Sequence, residues 1–157
     1  MKDGGESIFM DKPIVTCCSV GVYEHALKRG NQYIVNNERD GKYRITGNHG
    51  RLVWISKGHF LDGDIRLPYL TEWKVEDDPA KLDFIEVDLM FSDGSKRWCL
   101  ITTPSHLANY FEKQIDPIGF NIRHLLILKE INDEAIEKTL RYLEGHNELT
   151  EASRALQ

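Results

Sequence analysis

The chain has 157 residues, 41% of them hydrophobic, 10% aromatic and 29% charged, which suits one or two compact domains and excludes disorder over most of its length. Twenty basic and 25 acidic side chains leave a net charge of −5, a balance that argues against holding a phosphate backbone through bulk charge and against nucleic acid as a partner. The apolar runs, among them Leu89 to Phe91 and Leu125 to Leu128, reach at most four residues, far short of the roughly 18 that span a bilayer, so no membrane span is expected.

The first segment, residues 1–13, is polar and Gly-containing and is expected to form a flexible tail. It lacks the basic segment followed by an apolar core that marks a secretory signal. Cys17, Cys18 and Cys99 are odd in number and two are adjacent, where a bridge would be strained. Together these features place the chain in a reducing cytoplasm.

Residues 14–62 read as a small antiparallel β-barrel. Ile14 to Val22 is apolar and rich in Val and Ile, and short strands are expected at Gln32 to Asn36, Lys42 to Thr46 and Arg51 to Ile55. Between them stand Lys28-Arg29-Gly30-Asn31, Arg39-Asp40-Gly41 and Gly47-Asn48-His49-Gly50, which supply the positive φ angles of tight hairpins. Closing into a barrel hides the edges of so short a set of strands. The run Ala26 to Val35, then Gly41 to Ile45, then Gly50 to Phe60 resembles a Src-homology-three-like barrel. The resemblance implies that fold but not its polyproline ligand, because Lys42, Ser56 and His59 stand where the aromatic groove would need Trp, Pro and Tyr.

Residues 63–157 read as an α+β domain with the order β-β-β-α-β-α. Leu61 to Leu82 is expected to be a linker with a short strand near Glu72 to Val75. Ile85, Val87, Leu89 and Phe91 alternate with Glu86, Asp88 and Met90, and Asp93-Gly94 turns the chain into Lys96 to Thr102. A two-residue type I′ turn there would set Leu89 against Trp98 and Val87 against Leu100. The other face would then carry Glu86, Asp88, Arg97 and Cys99. Thr103-Pro104 starts a helix running to about Gln114, broken by Asp116-Pro117 and Gly119. Ile122 to Ile131 contains Leu125 to Leu128, whose unbroken apolar character is that of a central strand covered on both faces. Asn132 caps a second helix whose apolar side is Ile136, Leu140 and Leu143, with Ile131 stapled over Ile136 and Gly145 as its stop. His146 to Gln157 forms a further helical turn or a tail.

No stretch carries a specific catalytic motif, and no cofactor or metal is implied. The six histidines, His25, His49, His59, His106, His124 and His146, show no helical i, i+4 pair and no Cys-x-x-Cys accompanies them. Adjacent strand residues such as Cys17 and Cys18 point to opposite faces and read as packing. The charge is uneven: residues 1–64 hold 9 basic and 8 acidic side chains, residues 65–157 hold 11 and 17. Glu72, Glu76, Asp77, Asp78, Asp83, Glu86 and Asp88 fall within seventeen residues, beside an exposed-looking Trp73. Negative potential of this kind steers a basic protein partner, and an aromatic within it can anchor the contact. The bland reading of the same strip is a solvated face.

The stretch Phe91 to Pro104, with Leu140-Arg141-Tyr142-Leu143 and the closing Glu148 to Leu156, resembles small bacterial immunity proteins of polymorphic or contact-dependent toxin systems. That resemblance implies a compact cytoplasmic inhibitor of one toxin domain and assigns no functional residue. Three functions follow as expectations. The first is a non-enzymatic protein-binding inhibitor of the immunity type, contacting its partner through Glu72, Trp73, Glu76, Asp77, Asp78, Glu86 and Asp88. The second is a peptide- or domain-binding regulatory module that uses Tyr43, Trp54 and His59 of the barrel. The third is an enzyme using Asp88, Arg97 and Cys99. Trp73 and Phe84, as exposed apolar side chains, would equally allow a homodimer.

Overall fold

A computed structural model describes residues 12–113 and 122–156. The expectations for the tail up to Asp11, for Gln114 and for the Asp116-Pro117 and Gly119 helix break lie outside the described residues. The protein is α+β, with mixed sheets and two helices. It divides into two compact units between Leu67 and Pro68, five residues beyond the expected boundary.

The first unit holds two three-stranded antiparallel sheets. One has the order β2-β1-β6, built from β1 (Ile14–Cys17), β2 (Gln32–Ile34) and β6 (Phe60–Asp62). The other has the order β3-β4-β5, built from β3 (Asn37–Arg39), β4 (Lys42–Thr46) and β5 (Leu52–Ser56). β1 stops at Cys17, short of the expected Val22. A single 3-10 turn, Lys57–His59, joins β5 to β6. Val15, Cys17, Tyr33, Ile45, Ile55 and Phe60 from both sheets, with Leu27 of the β1–β2 connection, bury into one core, which is why strands of three to five residues hold together at all. The β3–β4 hairpin turns on Asp40 and Gly41, whose φ angles of 52° and 76° are the two positive values a type I′ turn requires.

The second unit is one sheet of order β10-β9-β8-β7, with β11 (Arg154–Ala155) also pairing β9. Its other strands are β7 (Leu70–Val75), β8 (Ile85–Phe91), β9 (Lys96–Thr102) and β10 (Leu125–Ile127). Helix α1 (Pro104–Lys113) follows β9, and helix α2 (Asp133–Gly145) follows β10. The order β-β-β-α-β-α is therefore present, with β11 added where a helical turn or tail is expected. The stretch read as a linker holds part of β6 and all of β7. β10 is parallel to β9 and lies at the sheet's edge, with Ile127 59% exposed, so it is not a central strand covered on both faces.

The β8–β9 hairpin departs from the sequence expectation by one residue. The amide of Phe91 donates to Ser95 O and that of Gly94 to Phe91 O, with Gly94 at φ +85°. These bonds close a three-residue loop, Ser92-Asp93-Gly94, with a glycine bulge, in place of a two-residue turn. The register is Val87 opposite Cys99, Asp88 opposite Trp98 and Leu89 opposite Arg97. A shift of one residue exchanges the faces of a whole strand. Cys99 and Ile101 consequently join Ile85, Val87 and Leu89 in the core, while Trp98 and Leu100 share the outer face with Glu86 and Asp88.

Helix α2 covers the inner face, burying Ile136 and Leu140 against that core, with Ile131 and Leu143 packed beside them. Asn132 caps it by accepting from the Ala135 amide at 2.8 Å. Gly145 is still helical; the left-handed residue that ends the segment is Asn147 at φ 59°. Thr103 caps α1, its hydroxyl accepting from the His106 amide at 3.1 Å.

Candidate functional site

The carboxylates crowded in sequence between Glu72 and Asp88 are not one surface. Alternation along β7 sends Trp73, paired with Leu89, to the inner face. Its ring is half-buried against the core and its indole N–H donates to Glu137 Oε1 at 2.7 Å. Trp73 is thus a packing residue of the β7–α2 contact and not the exposed anchor expected. The same helix closes the β7 edge: Arg141 donates to Leu70 O at 2.7 Å, and Glu144 accepts from the Leu70 amide. Phe84 is also half-buried, edge-on to Tyr110 with centroids 5.0 Å apart, so neither aromatic is a free apolar surface.

Asp83 and Asp78 hold loops and turns in place. Asp83 accepts from Asn109 at 3.1 Å and pairs with Lys113 at 3.3 Å, tying the loop to α1. Asp78 accepts from the Ala80 amide at 2.9 Å within its own turn. Glu76, Asp77, Glu86 and Asp88 gather at one end of β7 and β8. Asp77 accepts from the Glu86 amide at 3.0 Å, and Lys74 lies opposite Asp88 and pairs with Glu76 at 3.2 Å. Partial burial, and then the neighbouring Asp88, Asp77 and Glu76 charges, push the Glu86 carboxyl above its ordinary value. Glu76, Asp77, Glu86 and Asp88 therefore form a patch of net negative charge, with Lys74 paired to Glu76. Glu72 is exposed further along the same outer face, opposite Met90.

The three residues expected to act together in the first unit are not brought together. Tyr43 shares a face with Ile55, touches Phe60 edge-on at 5.9 Å and donates to Asp62 Oδ1 at 3.2 Å. His59 donates from Nδ1 to Ser19 O at 2.8 Å and packs edge-on to Tyr23 at 5.4 Å. The fit there is close, because a Cβ on Gly21 would come within 2.4 Å of the imidazole. Trp54 lies on the opposite face of β5 from Ile55, directed away from the core.

The third constellation also separates. Asp88 is on the outer face of the sheet; Arg97 and Cys99 are on the inner one. Arg97 is occupied in holding the C-terminal segment, donating to Ser153 Oγ at 2.7 Å and to the carbonyls of Thr150 and Ser153 at 2.9 Å. Burial pushes the Cys99 thiol up to about 12 and the Cys17 thiol up to about 11, the reverse of what a nucleophilic thiolate requires. Among the described residues, no group of three or more His, Cys, Asp or Glu side chains is placed to hold a metal ion, and no helix is long and apolar enough to cross a membrane.

The feature missed in the sequence lies around Trp54. On the outer face of β3-β4-β5 the register sets Arg39 beside Lys42, and Arg44 beside both Asn37 and Trp54. The Arg39 guanidinium carbon is 4.7 Å from the Trp54 ring centroid and that of Arg44 is 5.8 Å away. The signal was present in the sequence as period-two alternation: Lys42, Arg44 and Thr46 against Tyr43 and Ile45, then Leu52, Trp54 and Ser56 against Val53 and Ile55.

No protein-family model matches the chain, and no curated protein or solved structure matches it significantly.

Proposed function

We propose that this chain is a non-enzymatic, cytoplasmic protein-binding inhibitor of the immunity type, which occludes a basic toxin domain through the acidic end of β7 and β8. The observation that supports this reading is the retention of Glu76, Asp77, Glu86 and Asp88 in mutual proximity at the expense of Glu86, whose ionised form is disfavoured there. Repulsion of that kind is relieved when a cationic surface arrives, and it accelerates the encounter at low salt. Glu72 extends the contact along the outer face, whereas Trp73 does not belong to it. An interface of standard size, on the order of 1,600 Å² in total, would seat a single globular domain.

The test is capture of the tagged protein's partner from its host, followed by association kinetics with the recovered protein. Asp77→Lys, Glu86→Lys and Asp88→Lys combined should slow association at least tenfold at low salt, on the order expected for lost steering. Unchanged kinetics, or recovery of no partner, would overturn the reading.

A second reading makes the first unit a small barrel of the Src-homology-three-like kind that serves as a peptide- or domain-binding module. Trp54, turned to the solvent side of its sheet, favours it; Tyr43 and His59 have no part in this version.

A further inference from the structure

The outer face of β3-β4-β5 carries Asn37, Arg39, Lys42, Arg44, Thr46, Leu52, Trp54 and Ser56 by alternation. Three of these are cations and none is a carboxylate. The nearest paired acid is Asp40 of the hairpin turn, 4.0 Å from Arg39, with both side chains largely exposed. Glu38 lies on the other side and pairs with Lys57. Arg44 is half-buried, and its Nε is buried with no hydrogen-bond acceptor among the described residues. An unmet guanidinium N–H is costly, and a protein usually supplies it with an acceptor.

We infer that this face binds an extended, acidic segment of a partner protein, with Trp54 as its apolar anchor and Arg39, Lys42 and Arg44 pairing its carboxylates. The inference rests on the second reading above and names the chemistry of its partner. Lys42 and Arg44 are two residues apart on one strand, about 7 Å, which is also the spacing of alternate carboxylates on an extended peptide. A guanidinium laid against an aromatic ring keeps its edge N–H groups free for bidentate pairing with a carboxylate. Trp and Arg are also the residue types that dominate binding energy at protein interfaces. The same geometry disfavours single-stranded nucleic acid, because a stacking base would compete with Arg39 for the Trp54 ring.

The experiment titrates the full chain with three fluorescein-labelled probes at low salt: an eight-residue peptide of alternating Glu and Thr, a peptide with Gln in place of Glu, and an eight-nucleotide oligo-dT. The acidic peptide should bind tightest and weaken with salt. Arg39→Gln with Arg44→Gln, and separately Trp54→Ala, should each weaken it at least tenfold, while Lys138→Gln on α2 leaves it unchanged. Arg39→Glu with Lys42→Glu changes only exposed side chains, and its failure to bind cannot be ascribed to misfolding. Tighter Trp54-dependent binding of the Gln peptide would overturn the acidic specificity and leave the module reading standing. Binding of none of the probes would overturn both. Preference for the oligonucleotide, or acidic binding indifferent to the Arg39, Lys42, Arg44 and Trp54 variants, would also overturn the inference.

Discussion

Two sheet faces in this molecule present charge to solvent by the same period-two alternation, yet they differ in what their tryptophans do. On β7, Trp73 turns inward, packs on the core and donates to Glu137, while its acidic neighbours are partly consumed by Lys74, Lys113 and their own turns. On β5, Trp54 turns outward and lies against Arg39 and Arg44, and Arg44 Nε has no acceptor among the described residues. The stretch densest in charge is thus the one whose charges are more fully employed. The functional weight of a charged surface lies in the groups left without partners, not in the number of charges along the chain.

Both sheets bury their opposite faces, and core truncation tests this with the largest effect. Leu89→Ala behind β7 and Ile45→Ala behind Trp54 should each cost about 2–5 kcal/mol in denaturant unfolding, since both side chains are fully buried. A cost near zero at Leu89 would mean that α2 does not cover this face of β8.

The contrast between the tryptophans is sharpened by Trp73→Phe and Trp54→Phe. The first should cost about 1–2 kcal/mol through the lost bond to a charged acceptor, and the second less than about 1 kcal/mol. The Trp73 bond and then Arg141 hold the Glu137 carboxyl below its ordinary value. The stability Glu137 contributes is therefore present above the ordinary carboxylate range and lost as pH falls through the lowered folded value. The cost of Trp73→Phe should shrink over the same acidic window. Equal costs for the two variants, or a Trp73 cost independent of pH, would erase the distinction.

The smallest expected effect concerns Glu86. Its folded value is raised, so the native state holds its proton more tightly than the unfolded chain does, and stability declines as pH rises from the ordinary carboxylate range through that raised value. Glu86→Gln should therefore raise the melting temperature slightly at neutral pH, by no more than about 0.5 kcal/mol in free energy because the side chain is exposed. The gain should vanish in acid. A loss of stability at neutral pH would mean that the carboxylate is favourably paired in the fold.

The dipeptide Asp-Gly shows where sequence reading reaches its limit. At Asp40-Gly41 it forms the two-residue type I′ turn it suggests; at Asp93-Gly94 it is part of a three-residue loop with a bulge. Both arrangements suit the same residues, and local propensity does not distinguish them. Burial does: the longer loop puts Cys99 and Ile101 on the face with Val87 and Leu89. The constellation of Asp88, Arg97 and Cys99 followed from the wrong choice of loop and came apart with it. The arginines around Trp54 were legible as alternation, but they stand apart in the chain, on β3 and β4, and only pairing brings them to one ring.

The sequence by itself determined the α+β class, the order of the three strands, helix, strand and helix of the second unit, and the caps at Thr103 and Asn132. These depend on periodicity and on side-chain to backbone bonds within three residues. The tertiary structure alone decided the hairpin register, the edge position of β10, the inward turn of Trp73 and the gathering of Arg39 and Arg44 on Trp54. Each of these is a choice among locally equivalent arrangements, settled by which face of a strand can be buried against residues distant in the chain.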